Sequence, residues 1–550
     1  MGRYKEIIVL AICAALVALS YVFVVRWDLT DDKHYSLSEA SKHLLRETDA
    51  PIEVSLLLDG DLNAGFRRLK KATEETIEEL GVYARITRRP RDPRSIDSLG
   101  LQPIVIHERE QNGKTAQTTV WPYAIMEYKG RKAVVTLLKN TRGLSGEENL
   151  NASIEQLEFA FMEALHLLQQ TETPRVAILE GHGEPDEAHT YDLMAALSKY
   201  YQVDRGSIGD TDDGLQVTGH ELDGYKAVIV VNPQSAFSDV ERFVIDQYIM
   251  RGGAVLWALN GVRFSEDVLQ REGFTPILAL DLGLTDMLFR YGVRVNPALV
   301  QDVQCLPIPV NVSNDPQQPN LQPMPWTYAP LLLTSQGSPI TRHMGQVMST
   351  FVSPIDAVGG DDGIEKRVLL ATSTASRVTA TPGEVDLNDL NPDMADFKYQ
   401  YVPVAVSMEG AFASAYAHRM VPEGVTGDGL PVTEKDIIKK GKKTRQVVIG
   451  SGSVLLNELQ KNQALPMGYD RYSGMQFSNR DFVTNAVLWL TDSEGLISLR
   501  EKSVALRLLN DKRAHDERTK VQLISTISPV AILALIGGVV WIIRKRRYEK

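Results

Sequence analysis

The stretch PRVAILEGHGEPDEAH, residues 174–189, decides the architecture of the larger part of this chain. Val176–Leu179 is a short, wholly apolar run that starts after a proline and ends at a glycine-rich loop. That is the pattern of a strand buried on both faces, since a half-buried strand would alternate. The same pattern returns at Ala227–Val231 and Ala254–Ala258. Between the first two runs, Leu193, Leu197 and Tyr200 recur at helical spacing. Between the second and third, Val240, Phe243, Val244 and Tyr248 do, and Arg251-Gly252-Gly253 stops that helix. Strand–helix–strand alternation with apolar strands predicts a parallel sheet covered by helices on both faces. Val368–Ala371, Val402–Val406 and Gln446–Gly450 read as later strands, and Asp481–Leu490 as the last helix of this unit.

Upstream, residues 28–171 read as a first α/β domain. Ser36-Leu37-Ser38-Glu39 fits a capping box, with Ser36 at the cap and Glu39 reaching back, and Leu44 and Leu45 facing inward. Ala50-Pro51 ends that helix. Ile52–Leu58 reads as a strand, and Phe66, Leu69, Thr73, Ile77 and Leu80 mark a helix with outer Lys70–Glu74 and Lys71–Glu75 pairs. Tyr83–Thr87 and Ile104–His107 are strand candidates. Val120–Met126 and Ala133–Leu138 form a hairpin around Gly130. One long helix then carries Leu150, Ile154, Leu157, Phe161, Leu165 and Leu168 on one stripe. Three stretches read as irregular: the proline-rich Leu306–Trp326, the polar Arg377–Asp396, and Val421–Arg445 with Lys439, Lys440, Lys442 and Lys443. Such loops are either partner surfaces or lack fixed structure, and the last is expected to lack it.

Both ends of the chain carry membrane signals. Ile7–Val25 is 19 residues without a charge, preceded by Arg3 and Lys5. Val521–Ile543 is 23 residues without a charge, followed by Arg544, Lys545, Arg546 and Arg547. Each nearly matches or exceeds a hydrocarbon core of about 30 Å. The positive-inside rule places both termini in the cytoplasm and residues 27–520 outside. The alternative for the first run is a cleaved signal peptide with Ala18 and Ser20 near the cut. Two helices alone cannot form a solute pathway, so anchors of this kind hold a body beside another membrane protein. The expected division is a transmembrane anchor at 1–27, domains at 28–171 and 172–500, a juxtamembrane helix at 501–520, and a transmembrane helix with a basic tail at 521–550.

Composition excludes several functions. In 550 residues, 43% hydrophobic and 23% charged, the formal net charge is −11, which argues against nucleic acid as a partner. Cys13 and Cys305 are the two cysteines, too few for a disulfide framework or a zinc ribbon. No Gly-x4-Gly-Lys-Ser/Thr occurs, so phosphate-loop ATP hydrolysis is excluded. Gly450-Ser451-Gly452-Ser453 lacks the third glycine of a dinucleotide fingerprint and reads as a tight turn. No Gly-x-Ser-x-Gly elbow is present. Cys305, beside Leu306-Pro307 in an expected loop, reads as an inert thiol. No cofactor is expected. One cluster has chemical potential: Glu180, His182, Glu184, Asp186 and His189 follow the strand that opens the sheet. Ligands of open parallel sheets bind beyond the carboxyl ends of strands. These are zinc-type ligands, but their spacing fits no standard metal motif, and a solvated loop is the alternative.

The chain resembles the GldG family, the extracytoplasmic auxiliary subunit of gliding-type ABC transport systems. The matching residues are Asp28-Leu29-Thr30 with Tyr35-Ser36-Leu37-Ser38, then Glu180-Gly181-His182-Gly183-Glu184, then Tyr291-Gly292-Val293-Arg294-Val295 with Gln301-Asp302 and Cys305. Further on are Val404-Ala405-Val406 with Glu409-Gly410 and Phe412. The series ends with Asn479, Asp481-Phe482, Asn485-Ala486, Trp489-Leu490, Leu496-Ile497 and Arg500-Glu501-Lys502. The resemblance implies no catalytic residues. It implies a partnership with a separate ABC ATPase and a multi-span permease in a bacterial cytoplasmic membrane. It also implies that the second α/β unit is amidotransferase-like or flavodoxin-like without a nucleophile. Gliding itself does not follow from it. The rival readings are an anchored metal-dependent hydrolase using the 180–189 loop, and a stand-alone ligand-binding receptor.

Overall fold

Five-residue apolar strands can be buried only if both faces of their sheet are covered, and the molecule meets that demand with two separate layers. The computed structural model describes residues 37–499, except 61, 91–100, 110–114, 140–144, 210–216, 312–319, 362, 388, 391, 428–429, 493–494, 496 and 498, and then residues 518–548. The chain divides into two units, Met1–Ser503 and Val504–Lys550.

The first region of the larger unit contains α1 (Glu39–Arg46), β1 (Ile52–Leu56), α2 (Ala64–Tyr83) and β2 (Ile86–Arg88). A hairpin of β3 (Ile104–Arg109) and β4 (Thr115–Val120) follows, then β5 (Tyr123–Tyr128), β6 (Arg131–Thr136), α3 (Gly146–Glu155) and α4 (Leu157–Gln169). The sheet order is β2-β1-β5-β6, with β1 parallel to β2 and antiparallel to β5. Ile52, Val54, Leu69, Ile77, Leu80, Met126, Val135, Phe161 and Leu165 share one apolar cluster.

Several expectations for this region are corrected. Helix α1 starts at Glu39, so Ser38 is its cap and its hydroxyl accepts from the Ser41 N–H at 3.1 Å; Ser36 lies outside the described residues. Glu39 accepts from Lys42, while Glu158 of α4 takes the Ser38 N–H at 2.8 Å. A distant helix thus supplies the acceptor that the local pattern assigned to Glu39. Tyr83 is the last residue of α2 rather than the start of a strand. The long helix is two helices, broken at Gln156, and α3 has its own capping box from Ser145 and Glu148.

From residue 175 the principal strands are β7 (Arg175–Leu179), β8 (Gln202–Gly206), β9 (Ala227–Val231) and β10 (Ala254–Ala258). They continue with β11 (Cys305–Asn311), β12 (Leu321–Thr334), β13 (Glu365–Ala371), β14 (Pro403–Ala413) and β15 (Lys440–Ile449). The helices are α5 (Tyr191–Leu197), α6 (Asp239–Met250), α7 (Glu266–Glu272), α8 (Thr285–Tyr291) and α9 (Asn479–Thr491). The sheet order is β11-β12-β13-β14-β15-β10-β9-β7-β8. One side bears Leu193, Leu197, Ile229, Leu256, Val447, Phe482 and Val487. The other bears Val228, Val230, Val255, Val448, Phe243, Val244 and Leu288. Neighbouring residues of one strand therefore feed opposite layers.

The expected parallel sheet is half of the observed one. The strands β8, β7, β9, β10 and β15 run parallel. From β15 through β14, β13 and β12 to β11, each pair is antiparallel. Among the described residues, no α-helix lies between β13 and β14 to make a crossover, and the two run antiparallel. An apolar run reports burial, and direction comes from the connection.

Each of the three expected irregular stretches contains strands. Leu306–Trp326 holds most of β11 and the start of β12, paired Pro307↔Pro325 and Pro309↔Pro323. Opposed prolines have no N–H to exchange, so these are the non-hydrogen-bonded positions, and Ile308↔Met324 and Val310↔Gln322 carry the ladder. Cys305 accordingly sits in a strand rather than a loop. Within 377–396, Ser376–Ala380 pairs with Ala298–Asp302 and Gly383–Asp386 with Phe274–Ile277. Within 421–445, Val425–Gly427 pairs with Leu430–Pro431, and Lys440, Lys442 and Lys443 belong to β15, with Lys443 ion-paired to Glu409 at 2.8 Å. Polar strands of this kind carry no apolar run by which to recognise them.

In the second unit, Arg518–Tyr548 is one helix that continues through Pro529. Its segment Ser525–Arg546 is, among the described residues, the one helix long and apolar enough to cross a membrane. The expected N-terminal span Ile7–Val25 and most of the expected juxtamembrane helix at 501–520 lie outside the described residues.

Candidate functional site

The chain passes from β7 to β8 on one side of β7 and returns to β9 on the other. The loops leaving the carboxyl ends of β7 and β9 therefore diverge, which is where an open α/β sheet forms its crevice. Here the crevice at the divergence is filled, and His182 fills it.

His182 is 3% exposed. Its ring stacks on Phe237, with centroids 3.7 Å apart. Nδ1 lies 3.2 Å from Glu184 Oε1 and Nε2 lies 3.0 Å from Glu241 Oε1. The backbone closes the same knot. The His182 N–H donates to Glu184 Oε2 at 2.6 Å, and its carbonyl accepts from Gln234 N at 2.7 Å and Ser235 N at 3.0 Å. Gly183, at φ 76°, holds a left-handed turn with its α-carbon against Gln234, which suits glycine. Burial opposes a charge on the imidazole, but the hydrogen bonds to Glu184 and Glu241 outweigh it and hold His182 up to about 9. Glu241 is likewise opposed by burial, yet His182 and the Ser238 cap bring it down to about 2. At neutral pH the loop is pinned by an imidazolium between carboxyl groups.

The five expected residues separate into three groups. His182 and Glu184 come together, joined by Glu241 and Phe237, which the reading of the sequence missed. Glu180 instead pairs with Arg205, whose guanidinium also reaches the Pro185 carbonyl at 3.1 Å. Asp186 and His189 form an exposed pair at 2.6 Å, and that hydrogen bond holds Asp186 below the usual carboxylate range. Among the described residues, no three His, Cys, Asp or Glu side chains form a group able to hold a metal ion. Glu241 was recognisable: Ser238-Asp239-Val240-Glu241 is a capping box, and its glutamate occupies N3 of α6.

Beside this knot, past the end of β10, an open cleft of about 520 Å³ remains, lined by Arg242, Asn260, Asp281, Gly283 and Arg294 among others. Gly261 borders it; a Cβ there would stand 2.2 Å from the Asn296 carbonyl. The turn after β15 holds the lining residue Asn260, whose Oδ1 accepts from Gly452 N at 3.0 Å, and Gly452–Leu455 forms a short 3-10 helix. Arg242 is committed to the Gly283 carbonyl at 2.9 Å. The cleft offers charge and hydrogen bonds of both signs, a lining suited to holding a polar solute. Cys305 lies elsewhere, half-buried in β11, its thiol pushed up to about 11 by burial and the Asp302 charge.

A family model described as an ABC-type uncharacterized transport system matches residues 173–486, more than half of the chain. The chain belongs to this family of ABC transport-system auxiliary components. The match runs from two residues before β7 into α9, so every principal strand of the mixed sheet, the His182 knot and the cleft are features of the auxiliary component itself. A second model, a domain of unknown function, matches residues 31–127. Among solved structures, the mmIFT52 N-terminal domain aligns at 16% identity over 58% of this chain and 98% of its own, with a TM-score of 0.32. A putative ThuA-like protein from Parabacteroides merdae aligns at 9% identity over 62% of this chain and 94% of its own, with a TM-score of 0.28. Scores this low carry no argument about the auxiliary component. No curated protein matches.

Proposed function

We propose that this chain is a non-catalytic, membrane-anchored accessory subunit of an ABC transporter, working beside a separate ABC ATPase and a multi-span permease. The family match over residues 173–486 is the observation that carries this reading. The apolar helix Ser525–Arg546 and the basic residues Arg544, Lys545, Arg546 and Arg547 support an anchor with a cytoplasmic tail. Together with Ile7–Val25 they favour two spans, both termini in the cytoplasm of a bacterium and the body outside its inner membrane. The motif series favours the GldG branch, and a domain boundary near residue 171 accompanies that reading.

The subunit's work is binding. His182 is closed off between two glutamates, so the 180–189 loop acts as a fixed shoulder that Asp186 and His189 present to a partner. The neighbouring cleft at Asn260, Asp281 and Arg294 is where the body holds a solute or docks the permease. The test is a mild-detergent pull-down of the full-length tagged chain from its native host, read by mass spectrometry and ATPase assay. Recovery of an ABC ATPase and a polytopic permease with ATP turnover is the expected result. Recovery of the chain alone, even under crosslinking, would sink the proposal.

A further inference from the structure

A run of lysines stands at the amino end of β15, the opposite end of the parallel strands from the His182 knot. Lys439, Lys440, Lys442 and Lys443 fall within five residues of a chain whose net charge is −11. Strand β15 lies inside the mixed sheet and not at its border. These lysines therefore do not guard an open edge, a common duty of strand lysines. Strand β10 pairs with β15 only from Gln446 onward, so residues 440–445 run past it with β14 alone paired beside them. The end of α6 supports this overhang: a Cβ on Gly441 would stand 2.9 Å from the Met250 α-carbon.

Lys439, Lys440 and Lys442 are exposed, and among the described residues they form no ion pair. The nearby acids are engaged elsewhere. Glu409 holds Lys443 at 2.8 Å and Arg445 at 3.5 Å, and Asp436 accepts from the Thr433 N–H and hydroxyl at 2.9 and 2.7 Å. Glu434 is matched in charge by its neighbour Lys435. The three free cations are all lysine. A carboxylate partner favours the bidentate fork of arginine, whereas a compact ammonium on a long stem suits phosphates spread over a surface.

The same strand marks where the chain departs from the mixed sheet. Arg445 donates to the carbonyls of Trp489 and Asp492, at 2.7 and 2.8 Å, at the end of α9. From there the chain leads on toward the apolar helix Ser525–Arg546. Lys440 and Arg445 are five residues apart on β15, about 17 Å at roughly 3.4 Å per residue.

We propose that Lys439, Lys440 and Lys442 form a docking surface for the phosphate headgroups of anionic phospholipids, setting the overhang of the mixed sheet against the bilayer. This rests on the reading of the chain as membrane-anchored. Such attraction fades within a Debye length, about 8 Å at physiological salt, so the lysines act in contact with the headgroups. The carboxyl ends of the parallel strands, with the His182 knot, then face away from the lipid.

The experiment reconstitutes the full-length chain in nanodiscs of phosphatidylcholine alone and of equal parts phosphatidylcholine and phosphatidylglycerol. Acetylation of each lysine by a water-soluble reagent is followed by mass spectrometry. Lys439, Lys440 and Lys442 should react about threefold more slowly in the discs with phosphatidylglycerol. Raising the salt to about 1 M should abolish the difference, because charges are then screened beyond about 3 Å. Lys461, exposed on a turn beyond the carboxyl end of β15, should react alike in both discs. Lys440→Glu, at an exposed position, should at least halve the protection left at Lys439 and Lys442. Equal rates in the two discs overturn the proposal, as does slowing that extends to Lys461 or survives undiminished in Lys440→Glu. A chain that co-elutes with neither kind of disc overturns the anchored reading, and the proposal with it.

Discussion

Helix α6 carries two buried carboxyl groups that the fold treats in opposite ways. Glu241, in its first turn, faces the His182 imidazolium and is driven down to about 2. Asp246, fully buried in mid-helix, is held instead by neutral donors. Its oxygens accept from the Tyr291 hydroxyl at 2.7 Å, Ser414 Oγ at 2.6 Å, Ala415 N at 2.7 Å and Gln247 Nε2 at 2.9 Å. Burial still wins there, and Asp246 is raised above the ordinary carboxyl range. Four neutral donors do not compensate for desolvation, whereas one counter-charge with a cap more than does. The first site should act as a lock that needs its charge, and the second as a polar joint that tolerates losing it.

The strongest attempt to break that contrast is His182→Ala. It leaves Glu184 and Glu241 facing each other without a cation, and about 3–5 kcal/mol of unfolding free energy should be lost. Urea unfolding of the full-length chain in detergent measures this, and a cost below 1 kcal/mol would remove the lock. Next comes pH. A histidine raised from 6.5 to about 9 stabilises fully below pH 6.5 and loses that contribution as pH rises through 9. The loss is about 3 kcal/mol between pH 6.5 and 10. It should show as a falling melting temperature over that window, absent in His182→Gln. Glu241 has the opposite sense, stabilising above its usual range near 4.5 and losing this only as pH falls toward 2.

Asp246→Asn should cost less, about 1–2 kcal/mol at pH 7. The amide oxygen can keep the Tyr291 and Ala415 donors that share Oδ1, and the substitution removes the buried charge at the expense of the Ser414 and Gln247 bonds to Oδ2. If it proves worse than His182→Ala in the same urea titration, the ranking of the two sites is reversed. The smallest change is Ser238→Ala, which removes the cap hydroxyl of α6 and should cost about 1 kcal/mol. Its pH profile should keep the alkaline slope, because His182 retains Glu241; a lost slope would mean that the cap, and not the histidine, positions that glutamate.

Much of this frame could be read in advance. Val176–Leu179, Ala227–Val231 and Ala254–Ala258 announced themselves because strands covered on both faces are apolar throughout. The hairpin around Gly130 and the inward Leu44 and Leu45 followed from equally local rules. What escaped notice depends on partners far along the chain. Glu241 lies 59 residues from His182 by numbering, and nothing in the 180–189 loop indicates it. Edge strand β8, QVDRG, is half-buried and polar, so it has no apolar signature. The residues of the loop that looked like a ligand set are split by Arg205, whose claim on Glu180 is visible only after β7 and β8 pair.

The proline ribbon has a consequence for assembly. Strand β11 is the outermost of the mixed sheet, and the N atoms of Pro307 and Pro309 face its open side. A strand arriving there finds carbonyls but no N–H from residue 307 through 310, so it cannot zip on. The largest sheet of the molecule is thereby self-limiting along this border: it resists growing into a fibre with its neighbours, and any protein that docks here must recognise side chains instead of borrowing backbone.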